Sequence, residues 1–400
     1  MKKPRKGKRS NGPTIIDVAR EAQVGVMTSA QVAALSTDQI AAIEAGDIKA
    51  LSTAAIRSLS VAQLDALTSD QLRALTSAQL NALTTSPQVV GITTDDLNVL
   101  TTDQVARLTT AQVSALTTDQ LSHLGTDSLN ALGTAQFAVL NSSQIGSLST
   151  DQLSKMETAD LRSVTTNALR GQSSDQIGGL TTDEVGNLGT TQIAALTSVQ
   201  VKGLTAGDMT ALGTAQVAVL TSAQAQALST DQLAAIDAGD MKALATNTLR
   251  ALSNAQLDGL TSDQLRALTT GQVNALTTAQ INGLNTDDLN VLTSDQFAKL
   301  ATAQVAALSN TQLANLSTDN LNAMGTGQFA VLTSSQFGAL TTDQLSKMET
   351  ADLRSVTTAA LGGLSISSKS RYQLANSPKS VRVTCLGPVE KGLKVFWISA

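Results

Sequence analysis

The chain has 400 residues, a formal net charge of −5, one cysteine and one histidine. Cys385 alone allows no intramolecular disulfide and no cysteine-rich metal centre, and no apolar run approaches the roughly 20 residues that span a bilayer. Residues 28–364 hold 14 Lys+Arg against 29 Asp+Glu, while both ends are basic; such a balance favours solubility and opposes nucleic-acid binding along the central stretch.

Residues 1–13 read as a basic disordered tail. Lys6 and Arg9 are its candidate phosphate contacts, since each neutralised phosphate releases counterions and adds salt-dependent affinity; the same run would also serve as a nuclear-import-like signal. The following Ile15 to Glu21 is too charged for the core of a signal peptide. A cytoplasmic protein is therefore expected, with export by a leaderless route as the alternative.

Residues 14–27 carry a recognisable pattern. The run Thr14-Ile-Ile-Asp-Val-Ala-Arg-Glu-Ala-Gln-Val-Gly-Val-Met27 resembles the start of the helix-turn-helix of the lac-repressor (LacI) family, and the likeness extends to Gln31. The resemblance implies a partial DNA-binding segment, with a second helix in the major groove. Thr14 would cap the first helix, Val26 and Met27 would fall where the family reads base edges, and Gln31 would supply a polar contact. Gln23, Gly25 and Ser29-Ala30-Gln31 depart from the family pattern, the last in place of a Val-Ser-Arg stretch that supplies a polar and basic contact, and the family's third helix, hinge and sugar-binding domain have no counterpart.

From Thr28 to Leu364 an eight-residue unit repeats almost without interruption. Thr68 to Leu75 (Thr-Ser-Asp-Gln-Leu-Arg-Ala-Leu) and Thr269 to Leu276 (Thr-Thr-Gly-Gln-Val-Asn-Ala-Leu) are typical, with apolar residues at positions five and eight. One unit, Thr84 to Ile92, has nine residues; 7 octads precede it and 34 follow. Such self-similarity points to a solenoid. A continuous helix is excluded because eight residues at about 100° each would rotate the apolar pair by about 80° per repeat. A strand would place positions five and eight on opposite faces.

Short helices fit the pattern. Ser or Thr at position one with Gln at position four is the capping-box signature, and the preceding Leu with the residue at position five forms a hydrophobic staple. Asp at position three, as in Asp70 and Asp263, lies in the first turn, where the helix dipole favours negative charge. Position two is Ser or Thr more consistently than position one, so a cap one residue later is the alternative register. Helices of about five or six residues do not persist alone in water, so successive octads should stack into an all-α solenoid, one helix per octad. Alternation of Asp and Ala at position three suggests two octads per coil. A Thr-rich β-solenoid is the rival, opposed by the abundance of Ala, Gln and Leu.

A longer period lies over the octads. Ser149 to Val164 returns almost letter for letter at Thr341 to Val356, an offset of 192 residues or 24 octads. The array grew by duplication of that block, and its length needs no separate task for each half.

Nothing in the chain has the spacing of a catalytic or metal-binding constellation, so neither enzymatic chemistry nor a cofactor is expected. His123 at position seven reads as an exposed substitution, and the Asp residues as helix-start charges in preference to a weak calcium ladder. Hydroxyls and glutamines used in caps are not free for a ligand, and Phe137, Phe297, Phe329 and Phe337 at position five belong to the core. Residues 365–400 read as an irregular tail, in which Val381 to Cys385 and Leu393 to Ser399 would pair as a short hairpin or stay unpaired. The repeats are similar to long Thr-Gln-Leu-rich bacterial proteins of adhesin-like kind. The expected function is a non-enzymatic repeat scaffold with a protein partner. The alternatives are a DNA-binding regulator acting through residues 14–31 and an exported effector or surface protein.

Overall fold

A computed structural model describes residues 27–364. The expectations for Lys6, Arg9, Thr14 and Val26, and for the hairpin in residues 365–400, lie outside the described residues. Within them each octad contributes one short helix of four to six residues and no strand occurs. The β-solenoid is thereby excluded for this stretch. No helix among the described residues is long and apolar enough to cross a membrane.

Position one is the cap. In the octad Thr101 to Leu108, Thr101 is extended (φ −71°, ψ 156°) and its hydroxyl accepts from the Gln104 amide, while the Gln104 side chain accepts from the Thr101 N–H at 2.8 Å. Half of the box holds even where the cap has no hydroxyl, as at Gly213, whose N–H still donates to Gln216 Oε1 at 2.9 Å. Each helix ends after little more than one turn. Typically the position-eight amide bonds back to the position-five carbonyl, as Leu116 does to Val113 at 3.2 Å. The chain then leaves helical space, with Leu116 at φ −58°, ψ 138°, and meets the next cap.

The nine-residue unit keeps this register. The extra residue is taken up in a widened turn, Thr85–Val89, and Gln88 Oε1 still accepts from Thr84 N–H at 2.8 Å across one more residue. Val89 therefore stays in the core.

The chain divides at Gly203/Leu204 into two compact units, each built in the same way. In the first, the helix Thr102–Ala106 packs on Thr126–Asn130, three octads further on, and in the second Ser294–Ala298 packs on Thr318–Asn322. Other bonds reach the fourth octad back, so a coil closes between three and four octads. The expected two octads per coil is incorrect. Position three, on which that estimate rested, faces solvent and says nothing about closure. Two walls would also leave the apolar pair uncovered at its sides, and three to four helices enclose it. Positions five and eight are buried in nearly all octads of both units, with Phe137, Phe297, Phe329 and Phe337 fully so. Each buried Leu or Val contributes roughly 1.5–3 kcal/mol, which holds helices too short to stand alone.

Candidate interaction surface

The glutamine at position four uses both ends of its amide. Gln112 Oε1 accepts from the Thr109 cap at 3.0 Å, and its Nε2 donates to the carbonyls of Leu80 and Leu83 at 2.8 and 3.1 Å, four octads earlier. In the second unit Gln272 does the same to Met241 and Leu244, at 2.9 and 2.7 Å. Helix ends leave carbonyls without intrahelical partners; this buried ladder supplies a donor to the position-eight carbonyl and a second donor to the position-five carbonyl, which already accepts from the position-eight amide. The sequence showed the cap but not the second role, because the acceptors lie 28 and 31 residues away.

A second ladder runs the other way from position six. Asn98 donates to the His123 carbonyl at 2.8 Å, Asn130 to Lys155 at 2.7 Å, and Asn290 to Asn315 at 2.8 Å, each 25 residues on. Core and ladders thus engage positions four, five, six and eight. Positions two and three are left for the surface.

Position three carries the charge. Asp103, Asp127, Asp151 and Asp175 stand on four helices, each packed on the next, and all four are exposed. Asp295, Asp319 and Asp343 form the corresponding row in the second unit. Cations offset little of it: Lys155 pairs with Asp151 at 2.9 Å and Lys347 with Asp343 at 3.1 Å. These are exposed pairs worth about 0.2–1 kcal/mol. The helix starts explain why Asp is placed here, and stacking converts that local preference into an acidic row. Among the described residues no group of three or more His, Cys, Asp or Glu side chains is placed to hold a metal ion.

Several acids stand at position four itself. Burial, the largest cause in each case, raises Asp96, Asp160, Glu184, Asp288 and Asp352 above the usual carboxyl range, Asp160 and Asp288 to about 6. Glu157 adds to the shift at Asp160, and Asp258 to that at Asp288.

Of the residues assigned to DNA contact, two are described. Met27 is half-buried just before the first cap. Gln31 is engaged in the first capping box, its Oε1 accepting from Thr28 N–H at 2.8 Å. His123 is exposed beside Asp119, with Nδ1 3.3 Å from the carboxylate.

Comparison with known proteins gives one family. The sequence profile of the ALTTAQ repeat matches residues 40–77, 89–126, 122–156, 153–190, 204–237, 233–270, 269–302, 283–318, 297–334 and 318–348. Ala275 to Gln280 spells that motif letter for letter. No curated protein matches the chain. Among solved structures, the leucine-rich repeat-containing protein LegL7 from Legionella pneumophila is similar over 72% of this chain and 80% of that one, at 13% identity and a TM-score of 0.17. A superposition that weak carries no argument.

Proposed function

This chain belongs to the ALTTAQ repeat family, and from that premise we propose that it is a non-enzymatic scaffold that binds protein partners along its exposed face. The acidic row carries this reading. It is regular, solvent-facing and mostly without cations, whereas the hydrogen-bonding groups behind it are largely committed to caps and ladders. Repeat arrays bind through such extended surfaces, and a row of carboxylates selects a partner segment rich in Lys or Arg.

A Lys/Arg-rich peptide probe followed by fluorescence anisotropy tests the proposal. Asp103, Asp127 and Asp175 changed together to Asn should weaken binding roughly tenfold at low salt, from three exposed pairs of about 0.5 kcal/mol each, and the difference should shrink as salt rises. Unchanged affinity in the triple variant would remove the row from the reading.

The second reading is DNA binding through residues 14–31 and the basic tail. Its support is the LacI-family resemblance and the charge of Lys6 and Arg9. The same titration against duplex DNA, on the full chain and on a form lacking residues 1–27, separates the two. Competitor-resistant binding lost on truncation favours a DNA reader, and binding abolished by moderate salt in both forms leaves the scaffold.

A further inference from the structure

Glutamine at position four accepts with one atom and donates with the other. A carboxylate can only accept. Glu184 is where the consequence is sharpest. Its Oε2 accepts from Thr181 N–H at 2.7 Å, and its own N–H donates to Thr181 Oγ1 at 3.2 Å, so the capping box is intact. Its Oε1 is buried and has no hydrogen-bond partner, and the whole residue is 3% exposed.

In the neighbouring octads the equivalent atom is the amide nitrogen. Gln176 Nε2 donates to the carbonyls of Gly146 and Leu148 at 3.0 and 2.6 Å, and Gln192 Nε2 to those of Leu161 and Val164, both at 2.9 Å. With the same cap and the same register, Glu184 Oε1 is directed at the carbonyls of Leu153 and Met156. Oxygen then faces oxygen in a place water does not reach. Leaving buried acceptors without a donor costs about 1–3 kcal/mol, more for a charged one.

We propose that Glu184 is a proton-operated rung of the ladder: a neutral carboxylic acid whose Oε1–H donates to the carbonyls of the octad Ser149 to Met156, and which breaks that link when it ionises. No bond other than O–H is made or lost, and the proton exchanges with water. Gln would hold the rung closed at every pH, and Glu makes closure conditional.

Surrounding charges agree with this. On its own helix Asp183 disfavours ionisation. Within its unit the packed octads carry Asp151 and Lys155, which pair with each other at 2.9 Å, and Glu157, Asp160 and Arg162. The cap at Thr181 works in the opposite direction to burial, but burial is the larger effect.

The second unit holds an independent case. Asp288 shares a hydrogen bond with Asp258, and the Asn285 side-chain amide donates to both, at 2.7 Å to Asp288. Two carboxyls bridged by one amide hold a proton between them more easily than two negative charges. Asp287 adds to the repulsion; among the packed octads, Arg266 is paired with Asp263 at 3.5 Å and Asp319 is a further acid.

The direction follows from linkage. A group raised on folding contributes stability that is full in acid, below its unfolded value, and is lost as pH rises through its folded value. The coils therefore hold tighter in acid and loosen as pH rises through the folded value of the group.

Hydrogen exchange of the full-length protein at pH 5 and pH 8, corrected for intrinsic rates, tests this against Glu184→Gln. Protection over residues 149–188 should match in the two proteins at pH 5, and at pH 8 the wild type should be about tenfold less protected, the effect of losing one buried hydrogen bond. Difference infrared spectroscopy at pH 5 should show a protonated-carboxyl band in the wild type that the variant lacks. An equal offset at both pH values, no offset at either, or no such band overturns the proposal. The Asp258→Asn variant repeats the exchange test in the second unit, over residues 253–292, with the same expected pattern.

Discussion

Glutamine has opposite consequences at positions four and eight of the repeat. The side chain of Gln272 at position four is buried with four bonds, two from its cap Thr269, at 2.8 Å from the N–H and 3.1 Å from the hydroxyl, and two to carbonyls. Changing it to Ala removes the side-chain donor to Leu244, one of two donors to Met241, and half of the capping box. The expected loss is roughly 2–4 kcal/mol, at about 1–3 kcal/mol for stranded buried groups plus a weakened cap. Gln172 stands at position eight, where nearly all octads carry an apolar residue, and both its side-chain polar atoms are buried without a partner. Gln172→Leu should stabilise by about 1–3 kcal/mol through removal of that burden. Urea midpoints of the two variants, moving in opposite directions, check the assignment of roles. A stabilising Gln272→Ala would mean that the ladder does not hold the coils.

For the element, the limiting feature is how closely one helix approaches the helix three octads on. At Gly171 an added Cβ would lie 2.0 Å from the Ser142 carbonyl oxygen, and at Gly146 it would lie 2.5 Å from that of Gly171. Both obstacles are backbone, so neither can swing aside. Gly171→Ala should cost about 1–3 kcal/mol or more, as overpacking does. Gly271 sits in the first turn of Thr270–Ala275 with its nearest neighbour 3.9 Å from the added atom. There Gly271→Ala should stabilise by about 0.5–1 kcal/mol, from the lower entropy cost of Ala in a helix. Thermal melts of the two variants measure the contrast. Equal shifts would show that the close approach at Ser142 relaxes.

For the whole molecule, stability is a sum of local terms, because each octad bonds only to those three and four away. Removal of whole octads preserves that rule, and removal of the duplicated block preserves the partners as well. Glu349 to Val356 is identical to Glu157 to Val164, so joining Met156 to Glu349 places the same octad on the same coil. The shortened protein should keep its helicity per residue by circular dichroism. Its denaturant slope should fall to about half, since the slope scales with the surface exposed on unfolding. Collapse of the helical signal would show that the two halves are not interchangeable.

Much of this was legible in the sequence, because its rules act within a few residues. Thr101 and Gln104 announce a cap three residues apart, Val105 and Leu108 mark an inward face, and Asp103 marks a helix start. Helix per octad, register and the choice of α over β follow from such local chemistry. Coil size did not, because it depends on how many short helices close around the apolar pair, and the acceptors that fix it are 28 and 31 residues from each glutamine. For the same reason Glu184 reads in sequence as an ordinary capping acid. Only the stacked coils turn its second oxygen toward two carbonyls, because what a buried polar atom faces is decided by packing between distant segments.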